Sequence, residues 1–163
     1  IQVKIEWIRL LIADQTCPRC SQTEAEITSA IQHLRQILLP QGIDVVFEKR
    51  SLSPTQFAEN PMASNQILIN GRPLESWVSA KVTSTPCCDV CGDADCRALE
   101  VEDKIYEAIP SHLIVQAGLA VAEEMLEDMV GRSLAVQRML HAVVAEPIAV
   151  LNSALTTLPI PLT

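Results

Sequence analysis

A chain of 163 residues with 48% hydrophobic composition has enough apolar material for a packed core, which excludes the disordered class. Twenty acidic against twelve basic residues leave a net charge of −8, a balance that repels nucleic acid and anionic membrane surfaces. The longest apolar run, 113–122 with Gln116 inside it, is about half of the roughly 20 residues a spanning helix requires, so neither a nucleic-acid partner nor a membrane span is expected.

Val3, Ile5 and Trp7 alternate with Gln2, Lys4 and Glu6, after which only Arg9 interrupts an apolar run to Ile12. This predicts a first strand that becomes buried on both faces. The motif CPRC, Cys17 to Cys20, comes next and opens a helical pattern. Ser21 and Glu24 have capping-box spacing, while Ile27, Ile31, Leu34 and Leu38 recur at helical intervals until Pro40 and Gly42 end the segment. A thiol at a helix N-terminus is stabilised as thiolate by unpaired N–H groups and the positive dipole end. Cys17 takes that place, with Pro18 suited to the first turn and Arg19 adding positive charge, and Cys20 is the resolving thiol one turn inward. Two thiols at this spacing also make half of a zinc site.

Ile43, Val45 and Phe47 mark one face of a second strand, followed by a short helix opened by Ser53 and Pro54. Gln66 to Ile69 is a third strand running into an Asn70-Gly71 hairpin turn. Then come a cysteine-rich insertion at about 75–96 and two short runs, 97–101 and 105–109, expected to pair as a hairpin. Pro110 opens a helix that Gly131 is expected to break, with a further helix over about 133–146, where Pro147 ends it or starts a short last one. The fold class is therefore α/β, a mixed sheet flanked by helices. Its expected division is a domain over 1–110 carrying the insertion and a helical C-terminal region over 111–163.

Six cysteines fall in two tight groups, Cys17 with Cys20, and Cys87, Cys88, Cys91 and Cys96. Extracellular frameworks spread their cysteines to close long loops, so this clustering predicts a reducing cytoplasm. Four thiols in the block CCDVCGDADC are a soft-metal signal: Cys88 and Cys91 have knuckle spacing, Gly92 lets the chain turn, and Cys96 follows. Thiolates suit zinc, copper(I), an iron–sulfur cluster, mercury or arsenite. The block reads as a structural zinc clip, as a metal-handling or catalytic site, or as a reduced loop or local disulfide. No glycine pattern cradles a phosphate, and no organic cofactor is expected.

The run from CPRC at Cys17–Cys20 to the Asn70-Gly71 turn resembles the thioredoxin superfamily, in particular its glutaredoxin-like members. The stretch INGRPL, the block CCxxCGDxxC and the following YEAIP are similar to an uncharacterised family of prokaryotic thioredoxin-like proteins. The resemblance implies a thioredoxin-like fold, with Cys17 and Cys20 as catalytic cysteines acting on a thiol or disulfide substrate. The chain departs from the pattern where the superfamily carries a cis-proline, because the corresponding position is Asn65. A non-proline cis bond costs about 2.5 to 4 kcal/mol, so a trans peptide is expected there, together with easier metal access to the thiols. Two functions follow: a thiol–disulfide oxidoreductase, or a soft-metal binding protein that captures its ion with CPRC and with Cys87, Cys88, Cys91 and Cys96, without turnover. In the tail, Met125, Met129, Leu134, Met139, Leu140 and Val143 form an apolar stripe, which predicts either a two-fold homodimer or a segment folded back on its own core.

Overall fold

The computed structural model describes residues 1–87 and 91–155, with the backbone alone over 141–155. Two compact units divide the chain, Ile1–Glu123 and the remainder from Glu124.

Strand β1 (Gln2–Leu10) enters half-buried and leaves buried on both faces. Val3, Ile5 and Trp7 point into the core and, from the next residue on, Ile8 and Leu10 are buried on the opposite face. Helix α1 (Pro18–Leu38) returns the chain so that β2 (Asp44–Leu52) lies parallel to β1, with Gln2 opposite Asp44 and Leu10 opposite Leu52. A short helix, α2 (Pro54–Glu59), is opened by a capping box between Ser53 and Gln56. Strand β3 (Gln66–Ile69) runs antiparallel to β1 and turns through Asn70 and Gly71, both at positive φ, into the two-residue β4 (Arg72–Pro73). The sheet order is β2-β1-β3-β4, a mixed α/β arrangement.

The insertion is itself a sheet. Strands β5 (Lys81–Pro86), β6 (Asp95–Val101) and β7 (Lys104–Tyr106) form an antiparallel meander, its second turn made by Glu102 and Asp103 at positive φ. The expected hairpin over 97–109 is present, but its outer strand stops at Tyr106. Central β6 is buried at Cys96, Arg97, Ala98 and Leu99. The Arg97 guanidinium donates to the Met62 carbonyl at 3.3 Å and pairs with Glu75, which fastens β6 to segments on either side of β3 and β4.

Helix α3 (Ser111–Leu155) begins where the Glu26 carboxylate accepts a bond from the Ser111 N–H at 2.8 Å, an acidic group on the positive helix end. Within the first unit it buries Leu113, Ile114, Ala117 and Val121. Two helix boundaries differ from expectation. The first helix starts at Pro18 with Cys17 as N-cap, which leaves Ser21 and Glu24 inside it rather than capping it. Nor does Gly131 break α3, which continues through it and through Pro147. Interior glycine costs a helix only about 1 kcal/mol, and a good run of apolar and acidic helix formers outweighs that. In the second unit Met129, Leu134, Met139 and Leu140 are exposed, whereas the side chains of His141 and Val143 lie outside the described residues. Among the described residues no helix is long and apolar enough to cross a membrane.

Gly118 is where α3 meets α1: a Cβ there would lie 2.6 Å from Leu34 Cδ1, and Leu34 is fully buried. Gly118→Ala gains up to about 1 kcal/mol in helix propensity but overpacks a closed site at about 1 to 3 kcal/mol. A net loss of about 1 kcal/mol is expected in denaturant unfolding, recovered when Leu34→Val makes room. A stabilised Gly118→Ala protein would show that α1 and α3 do not pack this closely.

Candidate functional site

Cys17 occupies the N-cap of α1 with extended backbone, and its carbonyl accepts the first helical bond, from the Ser21 N–H at 2.9 Å. Cys20 faces inward one turn later. Both are buried, at 2% and 3% exposure. The second cysteine group reaches them through the β5–β6 hairpin. Its register sets Thr85 opposite Cys96 and Pro86 opposite Asp95, so Cys87 leaves β5 at the level where β6 begins, and the Cys87 N–H donates to the Ala94 carbonyl at 3.2 Å.

Arg19 draws this hairpin onto the CPRC turn. Its guanidinium donates to the Pro86 carbonyl at 2.9 Å and pairs with Glu107 at 3.1 Å, with only a tenth of the side chain exposed. Charge that the sequence assigned to the support of Cys17 is thus engaged by a carboxylate and a carbonyl. The result is that the sulfurs of Cys17, Cys87 and Cys91 all lie within 4.8 Å of one another. Cys87 is also joined to Cys96 by a disulfide, while Cys17, Cys20 and Cys91 are thiols. Leu10 and Phe57 pack on Cys96, with Cys87, Cys91 and Ala94 against them, giving the cluster an apolar wall. A cleft of about 370 Å³, lined by Pro18, Arg19, Pro86, Cys87 and Glu107, opens beside Cys87.

The quartet expected to hold a metal is divided. Cys87 and Cys96 are bonded to each other, Cys91 sits with Cys17, and Cys88 lies outside the described residues. The grouping crosses between the two sequence blocks, a contact no local spacing announces. It can hold a metal ion or exchange disulfides, and both uses draw on the same sulfurs.

Cys20 is held protonated. A hydrogen bond to the Cys17 sulfur raises its pKa well above the ordinary thiol value, burial adds to the rise, and the neighbouring Cys17 charge adds further, against opposition from the Thr16 and Ser64 hydroxyls. Ser64 is a residue the sequence did not single out. Its hydroxyl also accepts from the Leu10 N–H at 3.1 Å, and next to it Asn65 stands at φ +60° where the superfamily pattern has proline. The Asn65 side chain accepts from the Trp7 indole at 3.3 Å and donates to the Glu107 carbonyl at 3.1 Å. No described peptide bond is cis. The departure at Asn65 was the one signal that this corner is built differently.

Because Cys17 and Cys20 are equally buried, their alkylation rates report ionisation rather than access. In reduced protein at neutral pH Cys17 should react faster than Cys20, read by peptide mass spectrometry; equal rates would remove Cys17 as the nucleophile. A thiol with a raised folded-state pKa binds its proton more tightly in the folded chain, so its stabilisation is complete below the ordinary value of about 8.5 and is lost as pH rises through the folded pKa. Thermal unfolding should show this alkaline loss, and Cys20→Ser should flatten it.

The family model for a domain of unknown function, DUF2703, matches residues 3–118. An uncharacterized protein from Archaeoglobus fulgidus is 50% identical over 114 residues, which is 70% of this chain and 83% of that protein. No solved structure matches the chain. Every cysteine described above, together with Arg19, Ser64, Asn65 and Glu107, falls inside the matched span, which covers well over half of the sequence, and the chain belongs to the DUF2703 family.

Proposed function

We propose that this protein is a thiol–disulfide oxidoreductase of thioredoxin-like fold in which CPRC exchanges with an internal disulfide, Cys87–Cys96. The observation that carries the reading is the Cys17 sulfur within 4.8 Å of Cys87, the atom already bonded to Cys96. The parallel β1–β2 pair joined by α1, the antiparallel β3 on the other side of β1, and the N-cap position of Cys17 support the thioredoxin-like assignment.

The Cys17 thiolate attacks the Cys87 sulfur, a Cys17–Cys87 bond forms, and Cys96 departs as thiolate. Cys20 yields its proton to Cys96 and then attacks Cys17, releasing Cys87 as thiolate. One disulfide is consumed and one formed, and no electron leaves the protein. The disulfide passes from Cys87–Cys96 to Cys17–Cys20, or the reverse. A thiol or disulfide substrate meets this relay at Cys87, which is half-buried on the cleft, because Cys17 and Cys20 are enclosed. A reducing cytoplasm suits a system whose sulfurs must cycle.

The alternative is a soft-metal protein without turnover, favoured by the convergence of Cys17, Cys87 and Cys91.

Trapping distinguishes the relay from inert cysteines. Cys20→Ser, prepared with the Cys87–Cys96 bond, should accumulate a Cys17–Cys87 link on standing at mildly alkaline pH, while the unmodified chain proceeds to Cys17–Cys20. Peptide mapping after acid quench reads both. Persistence of Cys87–Cys96 alone in both proteins would end the proposal.

A further inference from the structure

We propose that Cys17, Cys87 and Cys91 form a binding site for a trivalent, three-coordinate metalloid such as arsenite or antimonite, and that the Cys87–Cys96 disulfide closes this site. The inference rests on the soft-metal reading above and names its ligands, its ion and its control.

Three sulfurs converge within 4.8 Å, so a single centre between them contacts all three. Cys17 is the N-cap of α1, while Cys87 and Cys91 lie four residues apart in the segment between β5 and β6, and three non-bonded sulfurs mutually within 4.8 Å form a triangle rather than a line. Charge selects the ion. Three thiolates carry three negative charges, so a divalent ion leaves one uncompensated charge against the apolar wall of Leu10, Phe57 and Ala94, whereas a trivalent centre leaves none. Arg19, the nearest cation to Cys17 in sequence, is engaged by Glu107 and the Pro86 carbonyl. Softness points the same way, since thiolates prefer polarizable thiophilic centres to oxygen-seeking ions.

Binding is a condensation: arsenous acid and three thiols give three As–S bonds and three waters, with no change in oxidation state. Each thiol proton leaves in a water molecule. Cys87 can take part only as a thiol, and one sulfur cannot hold both Cys96 and the metalloid. Opening the Cys87–Cys96 bond needs two electrons and two protons from a dithiol reductant, which becomes a disulfide as Cys87 and Cys96 become thiols. Reduction therefore creates the site, and reoxidation to Cys96 expels the ion.

The test uses the full chain in two forms, one reduced with a phosphine that is then removed, the other carrying Cys87–Cys96 as verified by peptide mapping, each incubated with arsenite. Reduced protein should retain about one arsenic per chain by native mass spectrometry, with Cys17, Cys87 and Cys91 protected from alkylation and Cys96 unprotected. The disulfide form should retain none, and reduced Cys96→Ser should bind as the reduced unmodified chain does, because Cys96 is not a ligand. Equal retention by the disulfide form would overturn the gate. Protection of Cys17 and Cys20 alone would overturn the ligand set, and displacement of arsenite by equimolar zinc would overturn the choice of ion. If no form binds either ion, the soft-metal reading itself fails, while the disulfide transfer trapped in Cys20→Ser is unaffected.

Discussion

The hold of Arg19 on the end of β5 is the constraint from which the sulfur chemistry follows. Its backbone lies two residues past Cys17, and its guanidinium reaches the carbonyl one residue before Cys87, so a single side chain measures the separation of the two cysteine groups. A guanidinium at this depth stays charged and must be met by acceptors. Glu107 and the Pro86 carbonyl meet it, and Glu107 in turn offers its own backbone carbonyl to Asn65. The chain of contacts runs from α1 to β5, to the segment after β7, and back to Trp7 on β1. Arg97 and Glu75 provide a second tie for the same three-stranded sheet.

What the sequence could express was local. The alternation that makes β1, the helical repeat of α1, the Asn70-Gly71 turn and the Ser53 cap each depend on residues a few positions apart, and the structure has them. The N-cap position of Cys17 was legible for the same reason. Continuity of α3 was not, because a glycine and a proline punctuate a pattern without saying whether the punctuation is obeyed. The meeting of Cys17 with Cys87 and Cys91 spans about seventy positions and is set by the hairpin register and by Arg19, neither of which leaves a periodic trace. Spacing within CCDVCGDADC proposed a self-contained metal knuckle. In the folded chain two of that block's three described sulfurs, Cys87 and Cys96, are bonded to each other, and Cys87 and Cys91 both lie beside Cys17.

Asn65 shows how one departure reorganises a corner. A proline at this point would present no donor. Asparagine at positive φ, a conformation it tolerates better than most residues, instead spends both ends of its amide on structure, joining Trp7 to Glu107. The preceding Ser64 is left to face Cys20 with a hydroxyl. The corner is thus an internal polar clamp that joins β1 to the segment after β7 beside Cys20.

The Cys87–Cys96 bond is also redundant as architecture. It closes a loop at the turn end of a ladder in which Thr85 already faces Cys96 and Pro86 faces Asp95, and backbone pairing continues from there to Lys81 and Glu100. A crosslink between strand ends that are already neighbours removes little freedom from the unfolded chain compared with one that closes a long loop. Most disulfides are masonry; this one has the placement of a latch, set at the end of a hairpin that is already paired.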